Sequence, residues 1–352
     1  MTPGGEFMIR AGALDGFRDC GLELGADPAA LLTAAGLSGA AVGTPDRLMP
    51  VQAFRRALDL AAEASGVARF GLHLSQRQSL ATLGAVGYLA AHSASLRQAM
   101  RGLSRYIGLH DAALRVRVEE ADGRCLWRLD QVAGAPAASV QHSDLAVGLA
   151  VKVVRDVLTP RWTPQAIHFR HSRPGDAGLY SRLFRCPVHF EAGFDGLDIA
   201  CGDMDRPLAT ADPGLHRVLR SHLDLLLMEQ RQPASSRARA VILAEMSRGA
   251  VTLEQVAHRL SMSRPSLQRA LRIEGCSFQR LLDETRFAVA CRYLREGERP
   301  LAQIALDLGY AEPAVFTRAF KRICGHTPSD WRRGLRQSPA RGLSPASRIA
   351  GI

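Results

Sequence analysis

One stretch of the chain is written twice, and that repeat limits the fold more than any other feature. "VAHRLSMSRPSLQRALRIEGCSF" (256–278) lies over "IALDLGYAEPAVFTRAFKRICGHTP" (304–328). Val256 and Leu260 match Ile304 and Leu308 at a spacing of 48 residues, Leu267, Arg269 and Leu271 match Phe316, Arg318 and Phe320 at 49, and Gly275 matches Gly325 at 50. One-residue insertions in the turn and after the second helix produce that drift. Each copy predicts a short helix with a buried Ala257 or Ala305, a tight turn at Ser261 or Gly309, and a second helix. The second helices start at Ser263 before Pro265 and at Glu312 before Pro313, since proline is tolerated in a first turn whose N–H groups have no intrahelical partner. Two helices joined by a three- to four-residue turn form a helix-turn-helix, whose second helix enters the major groove of DNA. A single such pattern is common in helical hairpins. Two at fixed spacing are far more specific.

Between the copies, "FQRLLDETRFAVACRYLREG" (278–297) reads as one helix with Leu281, Leu282, Phe287, Val289, Ala290 and Leu294 on its apolar side and Arg286 within it. A continuous helix there fixes the separation of the two motifs. Charge points to the same partner. The net charge is +11, yet residues 1–230 hold 24 Arg/Lys against 24 Asp/Glu, so the excess lies in residues 231–352, with 21 against 10. A neutral part joined to a basic part implies a polyanion partner for the second alone.

The first two-thirds read as an α+β domain. Apolar residues recur at helical spacing in 28–36, 51–65 and 95–108. In "RVRVEEADGRCLWRLDQV", Leu114, Val116 and Val118 alternate with Arg115, Arg117 and Glu119, a turn falls at Asp122-Gly123, and Cys125, Trp127 and Leu129 answer on the return strand. A long helix from Ser139 to Leu158, a strand at 165–170, a short helix at 176–184, two strands within 187–199 and a helix over 213–229 complete it. Pro, Ser and Arg in "QRQPASSRARA" place a linker over 231–240, between a domain of residues 1–230 and one of 241–336. Residues 337–352, rich in Pro, Gly and Ser, read as a flexible tail.

Catalytic and metal chemistry finds no constellation. His168 and His171 in "HFRH" point to opposite faces of a continuing strand. "LGAVGY" (83–88) lacks the spacing of a dinucleotide loop, and no P-loop, G-x-S-x-G or H-E-x-x-H occurs. The seven cysteines are scattered without a C-x-x-C, so they read as reduced thiols of a cytoplasmic protein and give no zinc site. No window approaches 18 uncharged apolar residues, so no membrane partner is expected. The N-terminal "MTPGGEFMIR" lacks the regions of a signal peptide, and Met8 is a candidate start. Phe70, Tyr88, Tyr106, Trp127, Trp162, Phe169 and Phe190 are core candidates that could also line a ligand pocket.

The C-terminal residues resemble the AraC/XylS regulators. The second motif of that family is met by Ala305, Gly309, Tyr310, Phe316, Arg318, Phe320, Lys321, Gly325, Thr327, Pro328 and Arg332, with Trp331 where Phe or Tyr is more usual. The resemblance covers about 240–334. The N-terminal part is similar, over roughly 10–225, to the arabinose-binding-like domain of a subgroup that includes ornithine-utilisation regulators. "TPDRLMPVQAF", "FGLHLS", "LGAVGYLAAHSASLRQAMRGLSRY" and "FRCPVHFEAGFDGL" carry it. The resemblance implies an effector-binding, dimerising domain followed by an all-α domain of two helix-turn-helix motifs joined by a linker helix. It implies double-stranded DNA, a small-molecule effector, a homodimer and RNA polymerase as partners, with no cofactor.

Position on the second helices, together with the family pattern, assigns base contacts to Pro265, Gln268, Arg269, Pro313, Ala314, Thr317 and Arg318. Phosphate contacts fall to Ser277, Arg286, Lys321 and Arg322. Tyr88, Tyr106, Trp127 and His142, each with an apolar body and a polar tip, are the effector candidates, in a pocket between helices and sheet. Two other readings compete. An enzyme, such as a DNA alkyl-transfer protein fused to the same reader, requires an activated cysteine or a cysteine-rich metal site. A ligand-independent architectural binder has no use for so large a neutral domain.

Overall fold

The structure is a computed structural model that describes residues 7–37, 43–121, 123–260, 262–297 and 299–337. The chain divides into two compact units, Met1–Arg231 and Gln232–Ile352. The turn residues Asp122 and Ser261, residues 1–6 and the tail beyond 337 lie outside the described residues, whereas the candidate start Met8 lies in β1.

In chain order the first unit runs β1 (Met8–Arg10), α1 (Phe17–Glu23), α2 (Pro28–Ala34), β2 (Leu48–Pro50), α3 (Val51–Ser65), α4 (Phe70–Ser75), α5 (Ala85–Ala91) and α6 (Leu96–Tyr106). It continues through β3 (Leu114–Ala121), β4 (Arg124–Gln131), α7 (Val140–Val157), β5 (Ala166–His168), α8 (Gly178–Phe184), β6 (Val188–His189), β7 (Asp195–Ala200), α9 (Cys201–Met204) and α10 (Pro213–Arg231). A five-stranded sheet has the order β3-β4-β7-β5-β6, and β1 pairs with β2 apart from it. The hairpin has the register its alternation requires, with Val118 opposite Trp127 and Val116 opposite Leu129. Val116, Cys125, Trp127 and Leu129 are buried while Arg115 and Arg117 are exposed. The long helix α7 is buried over most of its surface, its apolar residues together with Gln141, His142, Ser143 and Asp144. Leu145 belongs to the cluster of Phe17, Phe54 and Phe70, and Val147 and Val151 to the cluster under the sheet.

The second unit is helical: α11 (Ala234–Glu245), α12 (Leu253–Arg259), α13 (Arg264–Ile273), α14 (Phe278–Glu296), α15 (Leu301–Asp307), α16 (Pro313–Cys324) and α17 (Pro328–Gln337). It begins before the expected boundary. Residues 234–240 are not extended linker but the first turns of α11, because Ala234, Ala238 and Ile242 recur every four residues and are all buried.

The two motifs are equivalent in their core and in their turn. Val256 and Ile304, Leu267 and Phe316, and Leu271 and Phe320 are all buried in one core, and the matching pair Arg269 and Arg318 is exposed. The Met262 N–H donates to the Ala257 carbonyl at 2.8 Å, as the Tyr310 N–H does to Ala305 at 3.0 Å. Both bonds close the first helix of a motif and turn the chain toward the second. Ser263 caps α13 through the Ser266 N–H, and Thr252 and Gln255 form a reciprocal capping box on α12. Glu312 stands at the N-cap of α16 but makes no side-chain capping bond.

Candidate DNA interface and effector cavity

On the second helices Pro265, Gln268, Arg269, Pro313, Ala314 and Arg318 are all exposed. Thr317 is half-buried, its hydroxyl donating to the Pro313 carbonyl at 3.0 Å. The linker helix α14 is 19 residues long, about 28 Å at 1.5 Å per residue.

Pairing among the arginines separates structural charge from available charge. Arg280 is held by Glu284 at 2.9 Å, Arg239 by the same carboxylate at 3.2 Å, and Arg299 by Asp307 at 2.7 Å. Arg269, Arg318 and Lys321 form no ion pair among the described residues, and all three are exposed. Arg322 is also exposed but is tied to Asp283 at 2.5 Å. Ser277 caps α14 by accepting the Arg280 N–H at 3.2 Å. It sits exposed at a helix N-terminus, where N–H groups and the dipole favour an anion.

Arg286 does not belong with them. Its side chain is 9% exposed, its guanidinium donates to the Gly309 carbonyl at 3.1 Å, and it lies 4.5 Å from the centre of the Tyr310 ring. A group so enclosed is a brace beneath the second motif, out of reach of a phosphate.

In the first unit a cavity of about 60 Å³ lies between α6, α7 and the β3–β4 hairpin. Leu103, Ile107, Val116, Leu129, Leu149 and Val153 give it apolar walls, and Gln78, His110, Asp111 and His142 its polar lining. Of the four effector candidates, Trp127 and His142 line it. Tyr88 does not, because it stands half-exposed on α5. Tyr106 is buried elsewhere, its hydroxyl donating to Asp224 at 2.8 Å. Gln78, His110 and Asp111 were not among the candidates.

Burial pushes the His110 imidazole down to about 4, so it is neutral. Burial raises the Asp111 carboxyl, but the His142 imidazole at 3.3 Å and the Ala113 N–H at 2.8 Å outweigh that and leave it below the ordinary value.

His168 and His171 serve separate carboxylates, Asp198 at 3.6 Å and Asp144 at 3.1 Å. Among the described residues no cluster of three or more potential ligands could hold a metal ion. Three of the four thiols of the first unit fare no better as nucleophiles. Burial pushes Cys125 and Cys186 up to about 11 and raises Cys20, the reverse of an activated thiolate. Among the described residues no helix is long and apolar enough to cross a membrane.

Comparison with known proteins bears on both units. Residues 25–208 match the family described as the arabinose-binding domain of AraC transcription regulators, N-terminal part, and residues 256–334 match a helix-turn-helix domain. The chain belongs to the AraC family of transcription regulators. It is similar to the HTH-type transcriptional regulator VirS of Mycobacterium tuberculosis, 29% identical over 92% of this chain and 96% of that one. It is also similar to the ornithine utilization regulator of Pseudomonas aeruginosa, 27% identical over 88% and 92%. Among solved structures, the transcriptional regulator CdpR from Pseudomonas aeruginosa aligns over 75% of this chain and 86% of its own, at 21% identity and a TM-score of 0.40. As an AraC-family regulator the chain carries a DNA-binding domain with two helix-turn-helix motifs behind an arabinose-binding-type domain.

Proposed function

We propose that this regulator is cytoplasmic, that a small molecule bound in the first unit sets its affinity for promoter DNA, and that it acts without turning that molecule over. The observation that carries this reading is the mostly apolar cavity with a polar lining, built into a neutral unit whose chain also carries a DNA reader. Such cavities suit metabolite recognition. A ligand that binds two arrangements of the protein unequally shifts the population able to place both motifs on DNA. Gln268, Arg269 and Arg318, with Pro265, Pro313, Ala314 and Thr317 beside them, are assigned to the bases. Lys321, Arg322 and Ser277 are assigned to phosphates, and RNA polymerase is the protein partner reached from the promoter.

An effector at a hundred times its dissociation constant should stabilise the protein by about 2.7 kcal/mol, seen as a raised melting temperature, and should be recovered chemically unchanged. Recovery of an altered compound favours the enzyme reading, against which the raised thiols already weigh. An in vitro transcript that responds to the protein with purified RNA polymerase alone supports that partnership, and a response needing a further factor argues against it.

A homodimer is proposed on a separate observation. Val218, Leu225 and Met228 are 65%, 61% and 63% exposed on α10, with the three- and seven-residue spacing of a helix-pairing seam. Leu225→Glu should convert the dimer to monomers in sedimentation velocity. A dimer indifferent to that change places the seam elsewhere.

A further inference from the structure

We infer that Glu274 is a positioning residue through which the first unit acts on the first helix-turn-helix motif rather than the second. This rests on the effector reading above and says where the signal enters the DNA reader. The covalent joint between the units is short, since only Gln232 and Pro233 separate the end of α10 at Arg231 from the start of α11 at Ala234. Helix α11 has no cap of its own, because Pro233 stands at the N-cap and makes no side-chain bond. The first N–H groups of a helix lack intrahelical partners, and here a distant residue meets two of them. The Ala234 N–H donates to Glu274 Oε1 at 2.6 Å and the Ser235 N–H to Glu274 Oε2 at 2.9 Å. Burial raises the Glu274 carboxyl, but the bonds from Ser235 and Ala234 outweigh that and leave it below the ordinary value. The helix dipole favours a carboxylate at that end as well.

Glu274 belongs to the first reading helix. It is the C-cap of α13, and its N–H donates to the Ala270 carbonyl at 3.3 Å. The chain then turns at Gly275, with φ +69°, and the Cys276 N–H closes on the Leu271 carbonyl at 2.9 Å. The carboxylate that fastens the start of α11 is thus held by the helix that carries Gln268 and Arg269. Three residues along α11, the Arg237 guanidinium reaches the Met262 sulfur, in the turn of the same motif, at 3.7 Å.

The internal repeat supplies the comparison. Gly275 corresponds to Gly325, so the place of Glu274 in the second motif is taken by Cys324, the last residue of α16. Its thiol turns to the His326 carbonyl at 3.5 Å, and sulfur is a weak acceptor beside the two oxygens of a carboxylate. A pair of motifs matched in core and turn therefore differs at this position. Movement at the start of α11 is passed to α13 by two hydrogen bonds, whereas α16 has no carboxylate in the matching place.

The test is selection from a randomised DNA pool with the full-length protein, Gln268→Ala and Arg318→Ala marking the base blocks read by α13 and α16. Three further proteins are compared: Glu274→Ala, a Gly-Ser insertion between Gln232 and Pro233, and the two changes combined. Glu274→Ala should lower discrimination in the α13 block about two- to thirtyfold, the range set by loss of one helix cap, and leave the α16 block as it was. Glu274→Gln, which keeps the shape and one acceptor oxygen, should lose less in the same block. The insertion should affect that block too, and the combination should cost no more than the larger single change, because both break one connection. Equal losses in both blocks would make Glu274 a cap that serves stability alone. Losses that add, or an insertion without effect, would separate Glu274 from the first unit. Any of these three results overturns the inference and leaves the effector reading standing, since the melting-temperature screen decides that separately. If neither Gln268→Ala nor Arg318→Ala alters a block, the inference falls together with the two-motif reader.

Discussion

Gly309→Ala should destabilise the second unit by about 3 kcal/mol or more, and should do so by unseating the second motif. Gly309 has φ +71°, and a Cβ there would meet the Gly249 carbonyl oxygen at 2.4 Å. The left-handed conformation alone costs a non-glycine residue roughly 1–2 kcal/mol, and forcing an atom into packed backbone adds about 1–3 kcal/mol. Gly275→Ala separates the two effects, because Gly275 has φ +69° and open space around its Cβ position. It should lose only the conformational part. Urea unfolding followed by helical circular dichroism measures both, and equal losses would show that the contact with Gly249 is unimportant. That contact matters to function because Gly249 lies in the loop that leads into α12. The turn of the second motif therefore rests on the segment that starts the first.

Arg286→Ala carries the next largest effect, about 2–4 kcal/mol. The substitution removes a charged hydrogen bond to the Gly309 carbonyl and the stacking on Tyr310. Arg286→Lys should not restore stability, since an ammonium lacks the planar face that lies on the ring. The dependence of DNA affinity on salt tells a brace from a phosphate contact. Lys321→Ala should reduce the slope of log K against log salt by about 0.9, as one counterion fewer is released. Arg286→Ala should leave that slope alone in whatever fraction stays folded. A shallower slope at unchanged stability would return Arg286 to the phosphates.

Arg286 also shows where sequence reasoning stops. The repeat and the hairpin are legible because each is a periodic pattern enforced by burial of one face, and α7 because it is a long run of helix-compatible, mostly apolar residues. Nothing periodic reveals that Arg286 is covered, since its cover comes from Gly309 and Tyr310, more than twenty positions onward. Likewise Gln78, His110 and Trp127 come from separate segments and meet only once α7 and the hairpin are in place. Tyr88 looked suited to a pocket by type, but its position on α5 turns it outward. The stretch 231–240 looked like linker because it is rich in Pro, Ser and Arg. Pro233 is the N-cap of α11, Ser235, Ser236, Arg237 and Arg239 fall on its part-buried and exposed positions, and the four-residue recurrence of Ala234, Ala238 and Ile242 is the signal that places the helix against the core.

The account stands or falls on two reading helices held at fixed separation by α14. Selection of bound sequences from a randomised DNA pool, run on the full-length protein and on Gln268→Ala and Arg318→Ala, tests it directly. The expected result is two preferred base blocks about one helical turn apart, with each variant losing about 1–3 kcal/mol of discrimination in one block and none in the other. A single block, or two that neither substitution alters, would contradict it.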